Sequence, residues 1–130
     1  MNKDFILYEQ ALELKELGFD EPCFATYEFG KIHINEFKND CPYELCLKTK
    51  VFPAPTFSQA FRWFREKYNL DISINTVYSK YNEILSRKYS GVIDNEGVFT
   101  NVGFYDTYEE AELTCLKKLI EIVKSNTPKP

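Results

Sequence analysis

Apolar positions recur along the chain with a helical period in three stretches and an alternating period between them. Leu7, Ala11 and Leu14, widened by Tyr8, Leu12 and Leu17, predict a helix over 4–17. Gly18 then supplies a left-handed stop, and Phe19 can fold back onto the last turn. Glu9, Glu13, Lys15 and Glu16 make the solvated face of that helix. Residues 23–28 and 31–35 flank Phe29-Gly30, a hairpin signal in which Gly30 tolerates the positive φ of a tight turn. Ile32 and Ile34 share one face of its second strand, and His33 lies on the other. Residues 36–43 read as a loop. Leu45, Leu47, Thr49 and Val51 then alternate with Glu44, Cys46, Lys48 and Lys50. That pattern predicts a half-buried strand with a basic outer edge, ended by Pro53 and Pro55.

Thr56 and Gln59 form a capping box that opens a second helix. Phe57, Phe61, Phe64 and Tyr68 make its apolar stripe, with Ala60 beside it and Trp63 at its margin. Residues 71–78 read as extended. Residues 79–87 fit a short helix through Tyr81, Ile84 and Leu85, or a strand through Tyr81, Glu83 and Leu85, and both readings stand. Residues 89–94 and 97–105 predict a hairpin around Asn95-Glu96. Thr107 and Glu110 then cap a third helix over 108–124. Its buried stripe is Ala111, Cys115, Leu119, Ile122 and Val123, broadened by Leu116 and Ile120. Acidic residues gather at its start and lysines follow, which complements the helix dipole.

Three helices that must each bury one face, beside antiparallel hairpins, predict an α+β fold. The economical form is a two-layer sandwich, a mainly antiparallel sheet with about three helices packed on one face. A length of 130 residues suits one domain, read as 1–125 with a frayed tail at 126–130.

Charge sharpens this picture. The net charge of −4 conceals a basic middle: residues 48–90 hold 8 basic and 3 acidic side chains, whereas residues 1–47 hold 4 and 10. An acidic protein is poorly suited to bulk nucleic-acid binding, but a local basic surface remains open to it. The aromatic content of 16% exceeds what a core of this size needs, so some rings are expected to line a surface or groove.

Three sets of residues could carry chemistry, and each has a plain structural account beside it. Arg62, Trp63, Arg65 and Lys67 could form a basic aromatic contact surface, joined by Lys48, Lys50, Lys80, Arg87 and Lys88. Tryptophan and arginine dominate binding hot spots. Alternatively, Trp63 is half-buried core and the arginines solubilise the helix. Glu109, Glu110 and Glu112 could act as paired carboxylates, but the electrostatics of a helix start already explains them. Cys41 and Cys46 near a loop, with His33 as the sole imidazole, could serve nucleophilic catalysis. No base is placed beside either thiol by spacing, and no phosphate loop, dinucleotide fingerprint or nucleophile elbow occurs. Cys23, Cys41, Cys46 and Cys115 include no C-x-x-C pair, so reduced thiols are expected, with no metal and no cofactor. The first residues open straight into a helix and no long apolar run follows, so a cytoplasmic protein with no membrane association is expected.

Residues 54–67, residues 108–124 and the opening Tyr8–Phe19 together resemble small proteins encoded by bacteriophages and prophages. The likeness covers the three helices, somewhat under half the chain, and carries no functional residue with it. It implies the cytoplasm of a bacterial host. The expected function is an accessory role exerted by binding, to another protein first and to nucleic acid or a nucleotide as the alternative. A small hydrolase with an unrecognised site is the weakest reading. An exposed sheet edge or aromatic face would also suit a homodimer.

Overall fold

Gly18 ends the first helix as its sequence predicts. The structure, a computed structural model, describes residues 2–37 and 42–126. Helix α1 spans Tyr8–Glu16, and Gly18 follows it at φ 102°. The Phe19 amide returns to the Leu14 carbonyl at 3.0 Å, and the Phe19 ring is buried. This double closure satisfies carbonyls that the helix end leaves open. The helix is shorter at its start than predicted, because Asn2–Asp4 form a single 3-10 turn and Phe5 bridges to Thr56. Lys15 is not on a solvated face. It is buried, and its Nζ donates to the Phe19 carbonyl at 3.4 Å.

The fold is α+β, as predicted, but its strands divide between two antiparallel three-stranded sheets, and the described residues form four helices. The chain forms two compact units, residues 1–60 and 61–130, with the division inside helix α3, Phe57–Tyr68. In the first unit, strand β1 (Cys23–Glu28) lies between β2 (Lys31–Phe37) and β3 (Val51–Pro53). Phe29 and Gly30 link β1 to β2 at φ 52° and 81°, the left-handed pair that a two-residue hairpin requires. Ala25 and Tyr27 are buried on one face of β1, and the Tyr27 hydroxyl donates to the Ile6 carbonyl at 2.7 Å. Their partners on β2 are Ile34 and Ile32. The two isoleucines do share a face, yet Ile34 is 61% exposed at the sheet's edge.

Residues 43–49 overturn the strand predicted there. They form helix α2, Tyr43–Thr49, with Pro42 before its first turn. The Pro42 carbonyl accepts from the Leu45 and Cys46 amides at 3.1 Å each. Glu44, Leu45, Leu47 and Lys48 are all good helix formers, and that preference prevails over a short alternation. The burial is also the reverse of the alternating expectation: Cys46 is buried while Leu45 and Leu47 are exposed. Lys50 turns left-handed at φ 60° and releases the chain into β3.

The second unit is a meander of β4 (Leu70–Tyr81), β5 (Ile84–Asn95) and β6 (Val98–Tyr105), packed against helix α4, Tyr108–Asn126. Residues 79–87 are therefore strand and turn, not helix: Asn82 and Glu83 reverse the chain at φ 49° and 67°. The next turn falls one residue later than predicted, at Glu96-Gly97. There the Asp94 carboxylate accepts the Gly97 amide at 2.8 Å, and glycine takes the φ of 92°. α4 begins at the predicted cap, where the Thr107 hydroxyl accepts the Glu110 amide at 3.1 Å. Its buried residues are Ala111, Cys115, Leu116, Leu119, Ile120 and Val123. Ile122, predicted in the stripe, is half-buried.

Helix α4 approaches β5 tightly at Gly91. A Cβ there would lie 2.6 Å from the Cys115 Sγ and 2.8 Å from the Val102 Cγ2. Gly91→Ala is expected to destabilise the fold by about 1–3 kcal/mol, the usual cost of overpacking a close-packed site. Chemical denaturation checks this. Cys115→Ala should recover part of the loss in a double-mutant cycle, because it removes the atom in the way.

Candidate functional site

The four residues expected to form a basic aromatic surface do not share one. Helix α3 is capped as predicted by Thr56, whose hydroxyl accepts the Gln59 amide at 3.1 Å. The Gln59 side chain does not close the reciprocal half of the box. Its Nε2 instead donates to the Pro22 carbonyl at 2.8 Å. Further along, Trp63 is only 3% exposed. Its ring meets Phe64 and Tyr68 edge-on, with centroids at 5.1 and 5.4 Å. A buried indole cannot serve as a surface anchor, so Trp63 leaves the predicted contact set. Lys67 lies one turn on, with its Nζ 5.1 Å from the Trp63 ring and 5.8 Å from the Tyr68 ring. Arg65 faces the Asp71 carboxylate at 3.8 Å, and Arg62 is exposed.

Two of the cations expected to extend that surface are also engaged. Lys80 pairs with Glu83 at 3.2 Å, and Lys88 pairs with Asp106. Arg87 is exposed on β5, while Lys48 and Lys50 lie on α2 and its cap in the first unit. Three cations of the basic middle, Arg65, Lys80 and Lys88, thus face carboxylates. Surface pairs of this kind contribute little to stability, but each lowers the field available to a phosphate.

No nucleophile is assembled from the described thiols. Cys23, Cys46 and Cys115 form no disulfide and are buried, and Cys41 lies outside the described residues. Burial pushes the Cys23 thiol up to about 12, helped by the nearby Glu21 carboxylate, and its Sγ donates to the Glu21 carbonyl. Burial, with Glu112 second, pushes the Cys115 thiol up to about 11. Neither presents a thiolate near neutral pH. His33 is exposed, and its Nε2 lies 3.6 Å from the Glu28 carboxylate. Glu110 accepts a hydrogen bond from the Thr107 hydroxyl at 3.1 Å, the helix-start role. Among the described residues no group of three His, Cys, Asp or Glu side chains is placed to hold a metal ion, and no helix is long and apolar enough to cross a membrane.

A groove of about 290 Å³ lies between β6 and α4, lined by Thr100, Asn101, Val102, Thr114, Lys117, Lys118 and Glu121. Its polar groups are largely used. Asn101 accepts the Gly103 amide and donates to Ser90, Thr114 donates to the Glu110 carbonyl, and Lys118 pairs with Glu121. The wall resembles a braced strand edge more than a ligand cleft.

Large apolar side chains are exposed at several places, among them Phe24, Phe29, Val98 and Phe99, and one such place is the far end of the β4–β5 hairpin. Strand β6 pairs with β5 only from Tyr89 onward, where Tyr105 is its partner. Helix α4 starts at the same level, with Tyr108 edge-on to Tyr89 at 5.8 Å. Beyond this point Val77–Tyr81 and Ile84–Lys88 continue as a two-stranded ribbon. Tyr78, Tyr81, Ile84 and Leu85 on it are 57%, 79%, 70% and 65% exposed. Sequence reasoning missed this site because it left residues 79–87 between two readings. Tyr81, Ile84 and Leu85 at helical spacing and Tyr81, Glu83 and Leu85 at strand spacing overlap there, so the pattern alone does not separate a turn from a helix.

No family model, curated protein or solved structure matches the chain.

The thiols give a pH dependence. In the unfolded chain Cys23 and Cys115 ionise near 9, and in the folded protein near 12 and 11. Above pH 9 the folded state therefore keeps protons that the unfolded state releases, and stability falls as pH rises through that window. Cys23→Ala is expected to flatten the fall between pH 9 and pH 10.5, the interval over which melting temperatures would be compared with those of the unaltered chain. An equal slope in both proteins would contradict it.

Proposed function

We propose that this chain acts by binding another protein, and that the contact is the end of the β4–β5 ribbon. The observation that carries this reading is the exposure of Tyr78, Tyr81, Ile84 and Leu85 together on one short ribbon. A two-stranded ribbon alone is at best marginally stable in water. Large apolar groups gathered at its end gain most when a partner covers them. Tyrosine suits such a contact, since its ring is apolar and its hydroxyl can still find a hydrogen bond.

Nucleic-acid binding draws less support. Arg65, Lys80 and Lys88 each already face a carboxylate, and Trp63 is not available for stacking on a base. The resemblance of the helices to phage and prophage proteins supplies the setting: an accessory protein in the cytoplasm of a bacterial host, where the partner is to be sought.

The test is affinity capture from bacterial lysate with the chain and with a variant carrying Tyr81→Asp, Ile84→Asp and Leu85→Asp. All three positions are exposed, so the variant should keep its circular dichroism and melt within a few degrees of the original. A protein retained by the original and lost at least tenfold by the variant is the expected result. Equal retention by both would remove the ribbon end from the function.

A further inference from the structure

β4 is the outer strand of its sheet, and its free edge runs 12 residues in unbroken register with β5. Edge strands ordinarily carry some guard against pairing with another chain: short length, a bulge, proline or a central charge. The other sheet edges among the described residues have one. β3 is 3 residues long and ends in Pro53. The pairing of β2 with β1 is irregular between Cys23 and Ala25. β6 carries a bulge at Val102, and the Asn101 side chain occupies the Gly103 amide at 2.8 Å. β4 has no proline, glycine or bulge; its only charged residues, Asp71 and Lys80, lie next to its two ends, and the one amide taken by a side chain is that of Ile72, which donates to the Asp71 carboxylate at 2.8 Å.

We propose that the β4 edges of two copies of this chain pair antiparallel and form one continuous six-stranded sheet. The inference goes beyond the ribbon-end contact proposed above, because it uses the edge of the strand and not its tip. In an antiparallel strand, alternate residues turn both backbone groups outward, and opposed residues must both do so or both not. The two-fold axis must then pass between one residue and its own copy, and the registers that use most of β4 centre on Asn75 or on Thr76.

Centred on Asn75, the pairs are Ile74 with Thr76, Ser73 with Val77, Ile72 with Tyr78, and Leu70 with Lys80. Centred on Thr76, they are Ile74 with Tyr78, Ser73 with Ser79, Ile72 with Lys80, and Asp71 with Tyr81. In both registers Tyr78 of one copy meets Ile72 or Ile74 of the other, and no like charges oppose. Pairing along 70–80 or 71–81 makes about ten backbone hydrogen bonds, as many as a standard protein interface carries. Each ribbon end also gains the other copy's sheet as a third strand's support, which a bare two-stranded ribbon lacks.

Sedimentation equilibrium of the full chain over a hundredfold range of concentration tests this. A reversible dimer is expected. Asn75→Lys and Thr76→Lys each alter an exposed residue, and whichever sits on the axis would face its own copy. One of the two should weaken the dimer at least tenfold while leaving the melting curve of the diluted chain unchanged. As a second measurement, Asn75→Cys and Thr76→Cys are made in a Cys41→Ser background and oxidised mildly. The axial position should give a covalent dimer, and Ser73→Cys should not. A monomer at every concentration overturns the proposal. So does a dimer that both lysine variants leave intact, and neither result bears on capture of a partner by Tyr81, Ile84 and Leu85.

Discussion

Gly91 sets how closely α4 approaches its sheet, and much of the second unit follows from that distance. With no side chain at Gly91, the Cys115 sulfur and the Val102 methyl occupy the space where a Cβ would stand. Val102 reaches that position because β6 carries one extra residue there, between the pairs Gly91–Gly103 and Val92–Asn101. A bulge leaves an amide without a ladder partner. Asn101 supplies that partner from its side chain, and the Tyr105 hydroxyl closes onto the Val102 carbonyl at 2.6 Å. Small residue, buried thiol, bulge and polar clamp are therefore one arrangement. Its by-product is chemical inertness, since burial withholds from this thiol the water that would solvate its anion.

The same arrangement decides which part of the hairpin stays bare. α4 reaches Tyr89 with its first residue and then runs over Gly91, away from the turn. β6 also stops pairing at Tyr89. Both covering elements thus end at one level, and the strands continue past it. The long register of β4 with β5 holds the ribbon by backbone hydrogen bonds, while its side chains have little to pack against. What recognition such a surface can offer is apolar and aromatic. Charge contributes less, because Lys80 and Lys88 are held by Glu83 and Asp106.

Legibility in the sequence follows how local each cause is. The Gly18 stop, the Thr56 and Thr107 caps and the α4 stripe each depend on residues within two turns of one another, and each could be read. The α2 helix could not, because Leu45, Leu47, Thr49 and Val51 alternate as a strand would. What decides it is helix propensity after Pro42 together with the burial of Cys46, a tertiary fact. The Asn82-Glu83 turn was hidden for a related reason. It needs positive φ at Glu83, which no glycine announces. The division of strands into two sheets depends on pairings between distant segments, and no short window contains them.

Trp63 shows why composition alone does not say which residues share an exposed face. Arginine and tryptophan mark hot spots when the ring is presented to solvent beside the guanidinium. On a helix, residues one apart point about 100° away from each other, so neighbours in sequence need not be neighbours on a face. Arg62 is turned outward while Trp63 is turned in, against Phe64 and Tyr68. Lys67, one turn on from Trp63, then lies near its ring, where the π face attracts the ammonium. The indole holds the cation in place, and the pair belongs to the helix's packing. Large exposed apolar groups occur instead where the sequence has no arginine–tryptophan signature, among them Tyr78, Tyr81, Ile84 and Leu85 beyond the reach of β6 and α4.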